Sequence, residues 1–503
     1  MTQQSVLIVD DEPDIRELLD ITLSRMGLET HSAATLAEAM DKVAKIQPDL
    51  CLTDGAAVTF TVDNNDDGTL NHQSPDNDEA YVYFGMRRGG YSYYALDVSS
   101  PGVTPVLKWK ISRTDTDFGE LGLSFSKPIV GKVKYGAQAL DVLIFAGGYH
   151  GGWDTDYNNR VGKDLNADDD VRAGVNHGSA IYIVNARTGE LIWKTIYGPA
   201  TSTAVTGSNT QFTHSELLDS IPSAVSALRN PNGIVHRLYV GDTGGAIWRV
   251  DLPIATDPGA VNHRKEKWFV SKLAKLGTDG KTSDRRFFHA PDLVRSREND
   301  GTLFDGILIS SGNRASPNDT DVVNYHFYIK DHLVTSGDDA ARERLAITIG
   351  DNPADSSLAD RSDCAAGSEA NAEFSCSLSI ERGWMIKMAR PGEKGLSSPL
   401  VDGGRVFFTS YTPAALESCT SSVGVGSVYW VNLADGFSVY PGKQIFSVGT
   451  GIPSAVSTLG EQLLTPLGGI GDLEQDVCQG KLCSSHSRKL HKIYWREPGI
   501  DEL

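Results

Sequence analysis

A short aromatic-aliphatic run, ending in Asp or Asn and a turn, recurs along most of this chain and limits its fold more than any other feature. It reads YSYYALDV over Tyr91–Val98, AIYIVNA over Ala180–Ala186, AIWRVDL over Ala246–Leu252 and SVYWVNL over Ser427–Leu433. Weaker echoes stand at His326–Lys330 and Gly383–Lys387, and runs such as Leu143–Ala146, Leu238–Val240, Ile307–Ile309 and Val406–Phe408 lie between. Alternating aromatic and β-branched residues closed by turn residues predict strands. No single unit can bury its apolar faces alone, and radial stacking of such units makes a β-propeller; an open stack of single sheets is the second architecture. The spacing, roughly 60 to 90 residues, predicts irregular blades with long insertions. Fifty-one glycines in 503 residues suit a turn-rich β protein better than a helical bundle.

The first 54 residues obey other rules. Val6-Leu7-Ile8-Val9 is a continuous apolar run, as expected of a strand buried on both faces of a parallel sheet. Ile15, Leu18, Leu19, Thr22 and Met26 follow at helical spacing, with Gly27 as a stop. A short strand is expected near Glu29–His31, then a helix capped by Thr35, then a buried strand Leu50–Thr53 ending in Asp54. Carboxylates at the C-terminal ends of parallel strands converge in one crevice. Asp10 and Asp11 are therefore candidate Mg²⁺ ligands and Asp54 a candidate phosphoacceptor.

An acidic loop begins nine residues after Asp54. Asp63, Asn65, Asp67 and Asn71 take positions 1, 3, 5 and 9, Gly68 position 6, and Thr69 offers a carbonyl at position 7. Calcium takes six to eight oxygens at such spacing, so this is the first candidate Ca²⁺ loop. Ser74 holds position 12, where an acid would bind better. A second candidate, Asp164, Asn166, Asp168 and Asp170, lacks the turn glycine and reads more readily as a solvated acidic insertion.

The two regions carry distinct family resemblances. IVDDEPDIRELLDITLSRMGL and PDLCLTD resemble the receiver domain of two-component response regulators, in particular the PilR type that controls type IV pilus transcription. YVYFGMRRGGYSYYALDVSSP, SKPIVGKV, GSAIYIVNARTGELIW, HRLYVGDTGGAIWRVDL, GILISSGNRASPNDT and LSSPLVDGGRVFFTSYTP resemble the C-terminal propeller of the PilY family of pilus assembly and tip adhesin proteins. Together they imply a mainly β chain: a quinoprotein-like β-propeller over 55–503, preceded by a truncated flavodoxin-like α/β receiver fragment over 1–54. The opening elements expected before Tyr81 are missing. The PilY resemblance implies calcium as cofactor, pilus components or surface ligands as partners, and a secreted, pilus-associated location. In that family a DxDxDGxxD loop precedes the strand matching HRLYVGDTGG; here the segment is Leu228–His236, with Asn230, Asn232 and Gly233 but no carboxylate. Neutral amides and a His make a poor Ca²⁺ site.

Several function classes are disfavoured. Lys plus Arg number 46 against 65 Asp plus Glu, and a formal charge of −19 repels nucleic acid. No run approaches the roughly 18 apolar residues of a membrane span. The start has neither basic n-region nor apolar core, so the chain as written is expected in the cytoplasm. Cys364/Cys376 and Cys478/Cys483 could close small disulfide loops in an exported chain or stand as free thiols, and no Cys-x-x-Cys pair suggests zinc. Asn185–Trp193 fits the repeat of quinoprotein dehydrogenases, but no adjacent cysteine pair occurs, and the expectation is no enzyme. His72, His150, His214 and His289 are scattered, which favours structural roles. A phosphorelay regulator is the remaining alternative, though no output domain follows Asp54. The two halves suit opposite sides of a membrane, and an in-frame fusion of two genes is the simplest account.

After Asp54 the sequence turns to GAAVTFTVDNN, where a receiver would place two further strands ending in a Ser/Thr and a Lys. Asp54 is thus expected to resist phosphorylation: acetyl phosphate with Mg²⁺ should leave the intact mass unchanged, whereas a stoichiometric phosphate adduct would refute this.

Overall fold

The computed structural model describes 5–9, 29–34 and 50–53 with scattered helical residues between them, then 55–100, 103, 105–135, 138–153, 160–162, 177–206, 209–252, 268–278, 280–333, 346–349, 357–362, 364, 381–414, 424–439, 444–459, 462–464 and 467–468. In the leading segment Ser5–Val9 is the middle strand of a parallel sheet, flanked by Glu29–Ala33 and Leu50–Thr53. Central placement explains the unbroken apolar run: Leu7 and Ile8 are fully buried and Val6 nearly so. Arg16, Glu17, Asp20, Ile21, Leu23 and Ser24 are helical, as are Glu38, Ala39, Lys42, Lys45 and Ile46. In the second helical stretch Glu38 accepts the Ala34 N–H at 2.9 Å and pairs with Lys42 one turn on at 2.7 Å.

After the junction the described residues form strands and their turns, with one short 3-10 turn at Thr116–Phe118. Two compact units meet in sequence between Ala224 and Val225. The first unit holds two sheets built on a four-stranded antiparallel meander. One comprises Val58–Val62, Glu79–Gly85, Ser92–Asp97 and Val106–Ser112. The other comprises Ile129–Tyr135, Gln138–Ala146, Ala180–Asn185 and Leu191–Tyr197, extended by Asn209–His214 and Ser202–Thr206. The second unit holds three. The third meander of the chain is Ser226–Arg229, Val235–Gly241, Ala246–Asp251 and Phe269–Lys275. The fourth is Asp292–Arg297, Leu303–Ser310, Tyr325–Asp331 and Gly383–Lys387. The fifth is Leu400–Asp402, Arg405–Thr412, Val425–Asn432 and Ile445–Thr450. A repeated four-stranded meander is the blade of a propeller, and the fold is mainly β of that class.

The recurring sequence run occupies one structural position. It is the third strand of the first, second, third and fifth meanders, and the echo at His326–Lys330 is the third strand of the fourth. The other echo, Gly383–Lys387, is the fourth strand of its sheet. The intervening runs Leu143–Ala146, Leu238–Val240, Ile307–Ile309 and Val406–Phe408 lie in second strands. The sheet containing Tyr81 has its full set of four, because Val58–Val62, just after the junction, supplies the strand that had been expected to be missing.

One pair of neighbouring sheets in each unit is joined by a repeated indole contact. Trp109, in the fourth strand of the first sheet, donates Nε1–H to the Ala186 carbonyl at 3.0 Å, just after the third strand of the second. Trp384, in the fourth strand of the fourth sheet, donates to the Leu433 carbonyl at 3.0 Å, just after the third strand of the fifth. In each case the turn glycine lies against the ring. A Cβ on Gly189 would fall 2.9 Å from Trp109 Cδ2, and one on Gly436 would fall 2.8 Å from Trp384 Cδ2. Both glycines have positive φ, +73° and +74°. Glycine is thus required for the turn and again for the close approach.

Gly403, in the two-residue hairpin Asp402–Arg405, separates these two requirements: its φ is +57° but an added Cβ would meet nothing within 4 Å. Gly403→Ala should cost about 1–2 kcal/mol from backbone strain alone. Gly436→Ala should cost about 2–4 kcal/mol, because overpacking against the indole adds to the strain. Urea unfolding of the two variants side by side measures the difference.

Candidate functional site

The acidic loop after Val58–Val62 is a closed structure organised on its own side chains. The Asp63 carboxylate accepts the N–H of Gly68 at 2.7 Å and of Asp67 at 3.3 Å, so the chain curls around it. Asn65 Oδ1 accepts the Asp67 N–H at 3.1 Å, and Asp67 Oδ1 accepts that of Thr69 at 2.7 Å. Gly68 takes the positive φ, +78°, that the sharp turn needs. These bonds bring Asp63, Asn65, Asp67 and Thr69 into one turn. Asn71 stands apart from it, giving its side-chain amide to Asp76 at 2.9 Å.

The spacing argument missed the residue that closes the loop. Asp78 is 2 % exposed. One of its oxygens accepts the Asn64 N–H and the other the Asn71 N–H, each at 2.8 Å. It therefore ties both ends of the candidate calcium segment together, and these N–H groups hold its carboxyl below the usual carboxylate range. Nothing in a calcium-type pattern requires an acid at that position.

The loop has the oxygen chemistry of a hard cation site and an unbalanced charge. Among the described residues no Lys or Arg pairs with Asp63, Asp66, Asp67 or Asp76. No three His, Cys, Asp or Glu side chains among the described residues converge to hold a metal ion. A cation here would draw on Asp63 and Asp67 together with the neutral oxygens of Asn65 and the Thr69 carbonyl. The Asn65 amide now gives Nδ2–H to Asp67 at 3.0 Å.

The remaining sequence candidates fall in different settings. Asp10, Asp11 and Asp54, and the second loop with Asp164, Asn166, Asp168 and Asp170, lie outside the described residues. The carboxylate-free segment is a hairpin turn whose Asn230 Oδ1 accepts the N–H groups of Asn232 and Ile234, both at 3.0 Å. Its amide oxygen is occupied by the backbone. Cys364 is disulfide-bonded, and Cys376, Cys478 and Cys483 lie outside the described residues. His72 sits at the acidic loop, with Nδ1 3.2 Å from the Asp78 carbonyl. His150 packs against His177 with ring centres 5.1 Å apart, and burial pushes its pKa down to about 4. His214 is buried and accepts the Glu216 N–H at 3.2 Å.

A second feature had no forecast. In the second unit Arg237, Arg249, Asp251, Asp305 and Asp331 form a buried ionic ladder on adjacent strands. Arg249 grips Asp251 through two nitrogens, at 2.7 and 2.9 Å, and reaches Asp331 at 2.6 Å. Tyr239 donates to Asp331 at 2.7 Å. Burial, then the two acids, raises the Tyr239 pKa well above its ordinary value, so it acts as a donor throughout the accessible pH range. Its sequence trace is the Asp that ends two of the strand runs, Asp251 and Asp331.

Structure and sequence together define a chain of two parts, a receiver-type α/β segment followed by a propeller-class β region. Residues 6–56 match the response regulator receiver domain family. The leading segment is 61% identical over 54 residues to the response regulator protein PilR of Pseudomonas aeruginosa, covering 11% of this chain and 12% of that protein. The β region is 24% identical over 409 residues to the type IV pilus biogenesis factor PilY1 homolog of Xylella fastidiosa, covering 75% of this chain and 23% of that protein. Its fold is similar to the crystal structure of the Pseudomonas aeruginosa PilY1 C-terminal domain, with TM-score 0.50 and 17% identity over 78% of this chain and 79% of that one. The chain therefore joins a PilR-like receiver segment to a PilY1-like β region, and it spans less than a quarter of either curated relative.

The Asp78 clamp predicts an acid-labile loop. With its folded pKa depressed, its contribution is complete above the ordinary carboxylate range and is lost as pH falls through the folded value. Hydrogen exchange at the Asn64 and Asn71 amides should be protected at neutral pH and lose protection selectively on acidification. Asp78→Asn should remove that protection already at neutral pH.

Proposed function

We propose that this chain is a non-catalytic, calcium-responsive pilus protein whose β region binds type IV pilus components or surface ligands. The observation that carries the reading is the PilY1-like fold, which spans most of the chain. The receiver segment is carried along without phosphorelay output. The site we assign is the first acidic loop, with Ca²⁺ held by Asp63, Asn65 and Asp67 side chains, the Thr69 carbonyl and, after rearrangement, Asn71. Binding would neutralise carboxylates that no Lys or Arg among the described residues balances. The Asp164–Asp170 loop is a weaker second site of the same kind. Mg²⁺ belongs only to a working receiver, at Asp10 and Asp11.

The quinoprotein dehydrogenase alternative has less support. Its cofactor would need tryptophans free to stack, whereas Trp109, Trp248 and Trp384 are buried and donate to Ala186, Asp242 and Leu433. Such indoles act as packing groups with a polar anchor.

Co-sedimentation with sheared type IV pili is the direct test. The full chain should pellet with pili in millimolar Ca²⁺ and remain soluble in EGTA, and Asp67→Ala should remain soluble in both. Calorimetry separates the two parts of the proposal: the first loop should bind Ca²⁺ with Kd of order 0.1–1 mM, weakened at least tenfold by Asp63→Ala. Calcium binding without pelleting would overturn the pilus assignment alone, and pelleting that ignores EGTA would overturn the calcium dependence.

A further inference from the structure

The outer edges of the five meanders are not finished alike. In the second sheet the fourth strand, Leu191–Tyr197, is covered by Asn209–His214, which pairs with it in parallel. In the third, Phe269–Lys275 is covered in parallel by Ile347–Thr348, and in the fourth Gly383–Lys387 is covered in parallel by Ala359–Asp360. Pairs within a meander are antiparallel, so each of these strands is an addition to a complete blade. The first and fifth sheets end on the fourth strand itself, Val106–Ser112 and Ile445–Thr450. In the fifth, Phe446 and Val448 pack into an apolar cluster. In the first, Val106 and Leu107 lie open, 61% and 47% exposed, and Val103 just before them is equally bare.

Backbone direction shows what this edge offers. Arg113 gives its N–H inward to the Tyr91 carbonyl at 3.3 Å, and Ser112 gives its N–H outward to the Asp115 carboxylate at 2.8 Å. Strand amides alternate in direction, so the Lys110 N–H and carbonyl also point outward. Beyond the Ser112–Asp115 turn, no strand lies along this side among the described residues. An open strand edge with exposed apolar side chains is a template for another strand, and lysine on the edge restricts which strand it accepts. Lys110 has no carboxylate partner among the described residues, its Nζ lying 5.7 Å from the Tyr94 ring centre. Lys108 stands 3.7 Å from Asp97 and its side chain is 41% exposed. Two copies of this strand meeting about a two-fold axis would run antiparallel and bring lysine close to lysine, whereas acids on an incoming strand would pair with both.

We propose that the outer edge of Val106–Ser112 is a strand-addition site for an extended acidic segment of a partner protein, laid parallel to it as Asn209–His214 is laid on Leu191–Tyr197. The incoming backbone pairs with the outward groups about Lys110, its acids lie beside Lys108 and Lys110, and apolar residues at its leading end cover Val106 and Leu107. Backbone pairing supplies the affinity, and the alternate side chains supply the selectivity. Such recognition uses neither Ca²⁺ nor the acidic loop, so it does not rest on the calcium-responsive pilus reading.

Fluorescence anisotropy of the full chain in EGTA tests this, with a labelled peptide of two valines followed by alternating glutamate and valine. It should bind one-to-one and about tenfold more tightly than the same peptide with lysine for glutamate. Methylating alternate backbone nitrogens of the peptide should abolish binding in one phase and spare it in the other, because an added strand pairs through one edge only. A photo-cross-linker at the peptide's N-terminus should label the chain near Val106, and one at its C-terminus near Ser112. Lys110→Pro removes an outward N–H and none of the bonds to Ser92–Asp97, so Tm should hold while peptide binding falls about tenfold or more. Lys110→Glu, with its backbone unchanged, should lose the preference for glutamate over lysine. No binding of the glutamate peptide, equal loss from both methylation patterns, or full binding by Lys110→Pro would each overturn the proposal. Cross-links in the reverse order would overturn the parallel register, and dimers of the peptide-free chain that Lys110→Pro dissolves would assign the edge to a second copy instead.

Discussion

The third strand of each sheet is the element on which the rest of the β region depends. Ala180–Val184, Ala246–Asp251 and His326–Asp331 are buried residue after residue, with no solvent-facing side chain in the run. A sheet packed on one face only would expose every second residue of such a strand. Each third strand therefore needs a neighbouring layer on both faces, and no single sheet is stable alone. The requirement extends to the strand ends. Asn185 accepts the N–H groups of Arg187 and Thr188, at 2.9 and 3.1 Å, forming the turn that carries Gly189 to the Trp109 ring. A turn with the same backbone bond, Gly436 N–H to the Asn432 carbonyl at 2.9 Å, carries Gly436 to Trp384.

The third and fourth sheets solve the same packing problem with charge. Where the first sheet has apolar contacts and an indole, the third sheet has Arg237 and Arg249 clamped by Asp251, Asp305 and Asp331. Buried ion pairs add little net stability over well-packed apolar groups, but removing one partner typically costs about 3–5 kcal/mol. Such a ladder makes the match between sheets specific.

The junction sets two kinds of chemistry against each other. Receiver chemistry needs carboxylates from separate strands of a complete parallel sheet, and the family match stops at residue 56. The acidic loop needs only residues 63–78, because Asp63 and Asp78 accept the backbone donors that shape it. Local hydrogen bonding makes that loop independent of what precedes Gly55. Val58–Val62 likewise needs only Glu79–Gly85 as partner.

The sequence by itself determined the strands and their kind. Runs of aromatic and β-branched residues can hide both faces only inside a stacked β architecture, and Val6–Val9 can do so only in the middle of a parallel sheet. Asp63, Asn65, Asp67 and Gly68 were legible because a turn's oxygens follow sequence spacing. Only the tertiary structure decided the rest, since it rests on residues distant in the chain. Trp109 meets Gly189 from another sheet, and Arg237 meets Asp305 across 68 positions. Asp78 closes a loop from beyond its motif. No sequence spacing encodes which residues of separate sheets will meet.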